Sequence, residues 1–89
     1  KDTDVRLNAV NALHKIGPES IDAIKPLTNL LARDSSPDIR VLAAQTLALF
    51  GAQAKPALTT LEAASKDSNE RVQNAAQEAL AATGKKLPR

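Results

Sequence analysis

The apolar positions of this chain recur with two periods, one inside the other. Val5, Ala9, Ala12, Leu13 and Ile16 are three and four residues apart, which is one stripe of an amphipathic helix and predicts a helix from about Thr3 to Ile16. Asp2 or Thr3 can cap its start. Gly17 follows the last periodic residue, where a left-handed conformation costs glycine nothing, and Pro18 prevents the helix from continuing. From Ser20 a second helical segment begins, with Ile21, Ile24, Leu27, Leu30 and Leu31 as its apolar face. Pro26 lies inside that segment, so a short first turn and a bend are expected before a stretch ending near Arg33.

The longer period repeats this plan. Val5, Ala9, Ala12, Leu13 and Gly17 are answered 34 residues later by Ile39, Ala43, Thr46, Leu47 and Gly51, and after a further 33 by Val72, Ala76, Ala79, Leu80 and Gly84. Repetition at that length with helical internal spacing is the mark of a solenoid. In the second copy Ser36 can cap, Pro37 takes the first helical position and Asp38 faces the positive end of the helix dipole, predicting a helix from about Pro37 to Phe50. After Gly51 a partner helix is expected from about Gln53 to Ser65, presenting Ala54, Ala57, Leu58, Leu61 and Ala64. In the third copy Asp67 and Glu70 have the spacing of a capping box, ahead of a helix running to about Thr83. The expected architecture is all-α: a right-handed α-solenoid of antiparallel helix pairs, about five helices, two pairs plus one further helix. It forms one domain over residues 1–89, with repeats at about 2–33, 34–66 and 67–84. The tail 85–89 is too short and polar to supply the missing partner helix and is expected to fray.

Positions off the main stripe separate the copies. The second first-helix carries Val41, Leu42, Ala44, Ala48 and Leu49, whereas the third carries Asn74, Ala75, Gln77, Ala81 and Ala82. A helix apolar nearly all round is buried on more than one side, so the middle copy is expected between neighbours and the third to present a polar, cap-like face. The first is mixed, with Leu7 and Val10 off-stripe beside Asn8, Asn11 and His14. Leu7 and Val10 are accordingly expected to be left open, by a missing upstream repeat or for a partner.

Composition narrows the chemistry. An 89-residue chain buries only somewhat more than about 60% of its unfolded surface, so the core has little to spare. It has no cysteine and no tryptophan or tyrosine, and Phe50 is its one aromatic residue, which excludes disulfides, thiolate chemistry and aromatic cages. Net charge is +2 with scattered basic residues, which argues against nucleic acid or an anionic membrane as the partner. No segment is long or apolar enough to span a bilayer. The chain opens with Lys and reads as an excerpt of a longer protein, cytoplasmic by default. His14 is the single histidine and is expected on the surface, with no second His or Cys to complete a metal site. Ser35, Ser36 and Ser68 belong to turns, and each of the three glycines ends a helix rather than cradling a phosphate. No catalytic residue, metal site or cofactor is expected.

The run Asp34 to Arg40, followed by Ala43, Leu47 and Gly51, places an Asp in the inter-repeat turn, then a β-branched residue and Arg, then Ala, Leu and a closing Gly. This pattern resembles HEAT repeats, particularly the bacterial HEAT-like repeats named after phycobilin-lyase subunits. The resemblance implies a structural ladder in which turn Asp and the Arg six residues on link successive repeats. Here those positions are Arg6, Asp34, Arg40 and Asp67, with Gln73 in the third Arg position, so the ladder should weaken toward the C-terminal end around an intact centre at Arg40. The resemblance also implies a noncatalytic protein-binding or scaffolding role, with adjoining repeats of the parent chain among the contacts. Binding surfaces of solenoids usually follow the second helix of each pair. The residues outside the apolar stripe there are Asp22, Lys25, Thr28, Asn29 and Arg33, then Lys55, Thr59, Thr60, Glu62 and Lys66; of these Lys25, Asn29, Arg33, Lys55, Thr59, Glu62 and Lys66 form the candidate face for an acidic or extended protein partner. The alternatives are an accessory segment of an enzyme such as a bilin-lyase-like subunit and a weak nucleic-acid-binding domain.

Overall fold

The computed structural model describes residues 3–17 and 21–84. The expectations placed on Asp2, Pro18, Ser20 and the tail 85–89 lie outside the described residues. Among the described residues five α-helices follow one another: α1 (Thr3–Ile16), α2 (Ile24–Arg33), α3 (Pro37–Leu49), α4 (Leu58–Ala64) and α5 (Glu70–Ala82). Single-residue caps set their ends. Ser36 is extended and its side chain accepts from the Ile39 amide ahead of Pro37, while Gly51 leaves α3 at φ 56°, a left-handed conformation that a side chain would disfavour.

Two expectations about helix starts change. Asp67 does not cap α5; Asn69 does, its side chain accepting from the amides of Arg71 and Val72. Asp67 instead accepts from the Asn69 amide at 2.8 Å, as Asp34 accepts from the Ser36 amide at 2.9 Å. Each turn is thus an Asx turn leading into a cap, and Glu70 is the first helical residue rather than half of a capping box. The α-helix α4 also begins later than expected, whereas α2 is preceded by a short turn as Pro26 implied. Ile21–Ala23 and Gly51–Ala57 are wound as 3₁₀ helix before α2 and α4 start. Pro26 falls in the first turn of α2, where its missing N–H costs no helical bond, and Pro56 falls in the 3₁₀ segment.

The helices form a slab of 38 × 30 × 16 Å. In it α3 packs against α1, α2 and α5. Each second helix packs most extensively on the first helix of the next repeat, α2 on α3 and α4 on α5. The core follows: Leu27 and Leu31 of α2, Ile39, Ala43 and Leu47 of α3, Leu61 of α4, and Val72, Ala76 and Leu80 of α5 are all buried. Val41 and Ala44, off the main stripe of α3, are buried too, which accounts for a middle helix apolar on two sides.

In α1 the expected sides exchange. Val10 is fully buried and Leu7 packs against the core, because they lie on the side that meets α3, the helix against which α1 chiefly packs. Neither is left open. The stripe expected inside is outside: Val5 is 63% exposed and Ile16 52%, with Ala9 and Ala12 exposed between them. His14 leaves the surface with Leu7 and Val10. It is half-buried, and its Nδ1 lies 2.9 Å from Thr46 Oγ1. Since that hydroxyl donates to the Leu42 carbonyl at 2.8 Å, it accepts from the imidazole N–H and ties α1 to α3.

Candidate functional site

The turns between repeats concentrate the polar contacts. Arg6 of α1 grips Asp34 with both ends of its guanidinium, Nε donating to Oδ2 at 2.7 Å and Nη2 to Oδ1 at 3.1 Å. The Asp34 side chain is only 2% exposed. Its pKa is held below the ordinary 3.8 chiefly by the Arg6 hydrogen bonds, helped by the Ser36 amide and opposed by burial. Arg40, one repeat on, bridges two turns: Nη1 donates to the Asp34 carbonyl at 2.7 Å and Nη2 to Asp67 Oδ1 at 3.3 Å. Its Nε approaches Asp67 Oδ2 to 3.3 Å without making a hydrogen bond. The tightest rung is therefore Arg6 with Asp34, at the N-terminal side of the position expected from the pattern. Gln73 donates from Nε2 to the Asp67 carbonyl, repeating the backbone half of what Arg40 does. An amide supplies a donor for its own turn; it has no charge to extend toward a further carboxylate.

These contacts are cross-braces, and their groups are committed to one another. A second cross-repeat pair, Arg71 with Asp38 at 2.8 Å, was not signalled by the repeat pattern, because Arg71 and Asp38 occupy equivalent positions of neighbouring copies. Both side chains are about two-thirds exposed, at 67% and 68%.

The candidate binding residues lie where α2 and α4 face away from the first helices. Lys25, Asn29 and Arg33 are exposed on α2; Thr59 of α4, Lys55 before it and Lys66 after it are exposed as well, and Glu62 is half-buried. A groove of about 260 Å³ runs between α2 and α4, lined by Leu31, Ala32, Thr59, Thr60, Ala63, Ala64 and Asp67. Of the seven candidates this groove includes Thr59. Its lining is mostly aliphatic, with the two threonines and Asp67, which is already engaged by Arg40 and the Asn69 amide. Thr60 lies outside the apolar stripe as expected, whereas Ala63 was missed by the pattern, since it enters the groove only because α2 and α4 pack side by side. Such a surface can seat small side chains and offer hydroxyl hydrogen bonds. Among the described residues no three His, Cys, Asp or Glu side chains are grouped to hold a metal ion, and no helix is long and apolar enough to cross a membrane.

A search of curated proteins and one of solved structures each return no match. A family model described as HEAT repeats matches residues 1–81, a span that takes in both bridged turns and all but the last residue of the fifth helix. With first helices stacked in register, second helices behind them and an Asp–Arg brace at the turns, the chain belongs to the HEAT-repeat family.

Proposed function

We propose that this chain is a noncatalytic protein-interaction or scaffolding module whose second-helix face holds an extended, acidic segment of a partner protein. The observation that carries the reading is the groove between α2 and α4, lined mostly by aliphatic residues with Thr59, Thr60 and the already engaged Asp67, on a face where Lys25, Arg33, Lys55 and Lys66 are exposed. Exposed cations on the same face, none of them lining the groove, steer an acidic chain and set its orientation more than they add affinity, while the hydroxyls supply short-range fit. HEAT repeats in general serve as interaction or scaffolding modules. Finer readings attach to the same family. A bilin-lyase-type accessory role would leave the handling of a tetrapyrrole to other parts of the enzyme, since this chain has no cysteine, tyrosine or tryptophan.

The test is a titration of the chain with a fluorescent peptide of alternating Glu and Ala. Saturable binding, lost in the K25E, K55E and K66E triple variant while its circular dichroism and Tm stay unchanged, is the expected result. Equal binding by the variant, or none at low salt, ends this reading. A parallel titration with duplex DNA separates nucleic acid, which would show steep loss of binding with added salt.

A further inference from the structure

The two turn aspartates occupy equivalent positions and commit their carboxylates differently. Asp34 has both oxygens on the Arg6 guanidinium, at 2.7 and 3.1 Å, and its side chain is 2% exposed. Asp67 gives Oδ1 to the Asn69 amide at 2.8 Å and to Arg40 Nη2 at 3.3 Å. Its Oδ2 has Arg40 Nε at 3.3 Å, but that N–H makes no hydrogen bond, and among the described residues no other group donates to Oδ2. An ionised oxygen left in this way is a strong acceptor still to be used. Asp67 also lines the groove between α2 and α4, with its side chain 19% exposed, and Asp34 does not.

The rest of the lining narrows what can use it. Leu31, Ala32, Ala63 and Ala64 suit an aliphatic stem. The hydroxyls of Thr59 and Thr60 make no hydrogen bond among the described residues, so each can donate to an occupant or accept from it. Charge is disfavoured in both signs: a partner's carboxylate would face the Asp67 carboxylate, and a partner's ammonium or guanidinium would enter beside Arg40, which already balances it. We infer that the groove is a subsite for a neutral primary amide on an aliphatic stem, a glutamine of the bound segment, whose N–H₂ donates to Asp67 Oδ2 while its carbonyl accepts from a threonine hydroxyl. The inference rests on the reading of this face as the seat of an extended acidic segment, and it divides the work there. The partner's acids stay outside the groove, on the side of the exposed Lys25, Lys55 and Lys66, none of which lines it. The groove reads the residue between them, and a site with unused polar groups rejects an analogue of the same shape that cannot pair with them.

The test uses three fluorescent peptides of alternating Glu and Ala that differ at one central position, which is Gln, Met or Lys. Met has nearly the shape of Gln and no N–H to donate. The Gln peptide should bind the 89-residue chain with a Kd about tenfold below that of the Met peptide, the size expected of a hydrogen bond to a charged group, and the Lys peptide should bind no better than Met. Asp67→Asn keeps an oxygen for the Asn69 amide and removes the unused acceptor. It should bring the Gln and Met peptides to equal Kd without changing that of Met. Thr59→Val with Thr60→Val leaves the turn bonds intact and should narrow the Gln preference to about threefold, which keeps the inference testable if Asp67→Asn does not fold. Equal binding of Gln and Met by the parent chain, a preference for Gln that survives these substitutions, or tightest binding of Lys overturns the amide subsite and leaves the acidic-segment reading standing. Binding of none of the three peptides overturns both.

Discussion

The two ends of the slab are built from the same repeat and finished in opposite ways. At the N-terminal end α1 turns Val5, Ala9, Ala12 and Ile16 outward; at the C-terminal end α5 turns out Asn74, Gln77, Glu78 and Ala81. The middle helix α3 buries both kinds of face, with Ile39, Ala43 and Leu47 on one side and Val41 and Ala44 on the other. A repeat therefore has two sides with separate jobs. What covers a residue is decided by its neighbours in the array as much as by its own helix, and solenoid stability accordingly resolves into repeat terms and interface terms.

The largest expected effects come from making one substitution at three equivalent leucines. Leu47 is fully buried and Leu80 is 2% exposed, whereas Leu13 is half-buried. Leu47→Ala and Leu80→Ala should each cost on the order of 2–5 kcal/mol by urea titration, a large part of the roughly 5–15 kcal/mol that holds an ordinary domain together. Leu13→Ala should cost about 1 kcal/mol, since part of its surface already faces water. Equal losses at all three would mean that α1 is covered as fully as α3, and the contrast between the ends would fall.

The brace at the first turn is the strongest of the polar contacts. Arg6→Met leaves the Asp34 carboxylate, 2% exposed, without its guanidinium and should cost on the order of 2 kcal/mol. Arg40→Met, which removes the 2.7 Å bond to the Asp34 carbonyl and a longer contact with a half-buried Asp67 but strands no carboxylate as deeply buried as Asp34, should cost about half of that. The reverse order would restore Arg40 as the centre of the ladder. The pH dependence separates the Arg6 brace from simple packing. Because the folded pKa of Asp34 is depressed below 3.8, its contribution is fully present above the unfolded carboxylate value and is lost as pH falls through the folded one. The Tm difference between the parent chain and Arg6→Met should therefore be constant near neutrality and shrink below about pH 4. A difference independent of pH down to the acid limit would assign the loss to the arginine's aliphatic stem.

Much of this arrangement was legible because local rules and the repeat agreed. Gly17, Gly51 and Gly84 all have positive φ, the helices fall within a few residues of their periodic stretches, and Leu47 is buried. Three things were not legible, each for its own reason. The 3₁₀ segment ahead of α4 carries no period distinct from that of an α-helix over so few residues, although Pro26 had signalled the short turn ahead of α2. The Asn69 cap was hidden by a plausible capping-box spacing at Asp67 and Glu70, although Asn69 stands two residues after Asp67 as Ser36 stands after Asp34. The burial side of α1 depends on a neighbour rather than on spacing, since Leu7, Val10 and His14 are helically spaced just as Val5, Ala9 and Ile16 are. In the candidate binding face the exposed cations were readable from the stripe they flank. The groove was not, because it exists only between helices about 30 residues apart in the chain.

Phe50 and Ile16 occupy one repeat position at the two ends of this contrast, 4% and 52% exposed respectively. Phe50→Ala should cost about 3–5 kcal/mol and Ile16→Ala under about 0.5 kcal/mol, as ordinary surface substitutions do. The exposed Arg71 and Asp38 pair sets the scale for contacts that matter least. Arg71→Ala should change stability by no more than about 0.5 kcal/mol, since exposed ion pairs lose side-chain entropy and are screened by salt.

The smallest effect on stability carries the sharpest test of the two ends. Asn74→Val with Gln77→Ala gives α5 the residues that α3 has at Val41 and Ala44, with Ala81 already matching Ala48. Both positions are exposed, so the monomer's urea midpoint should move little. Sedimentation should nonetheless reveal association that grows with concentration, because the apolar stripe of α1 on one copy now meets an apolar face of α5 on the next. Such a contact is heterologous and does not close on itself, so chains rather than dimers should form. Adding Ala9→Glu should return the doubly substituted chain to a monomer by placing a charge in the middle of the α1 stripe. If the doubly substituted chain stays monomeric at millimolar concentration, Asn74 and Gln77 are not what keeps copies apart, and the two ends differ in composition without differing in what they admit.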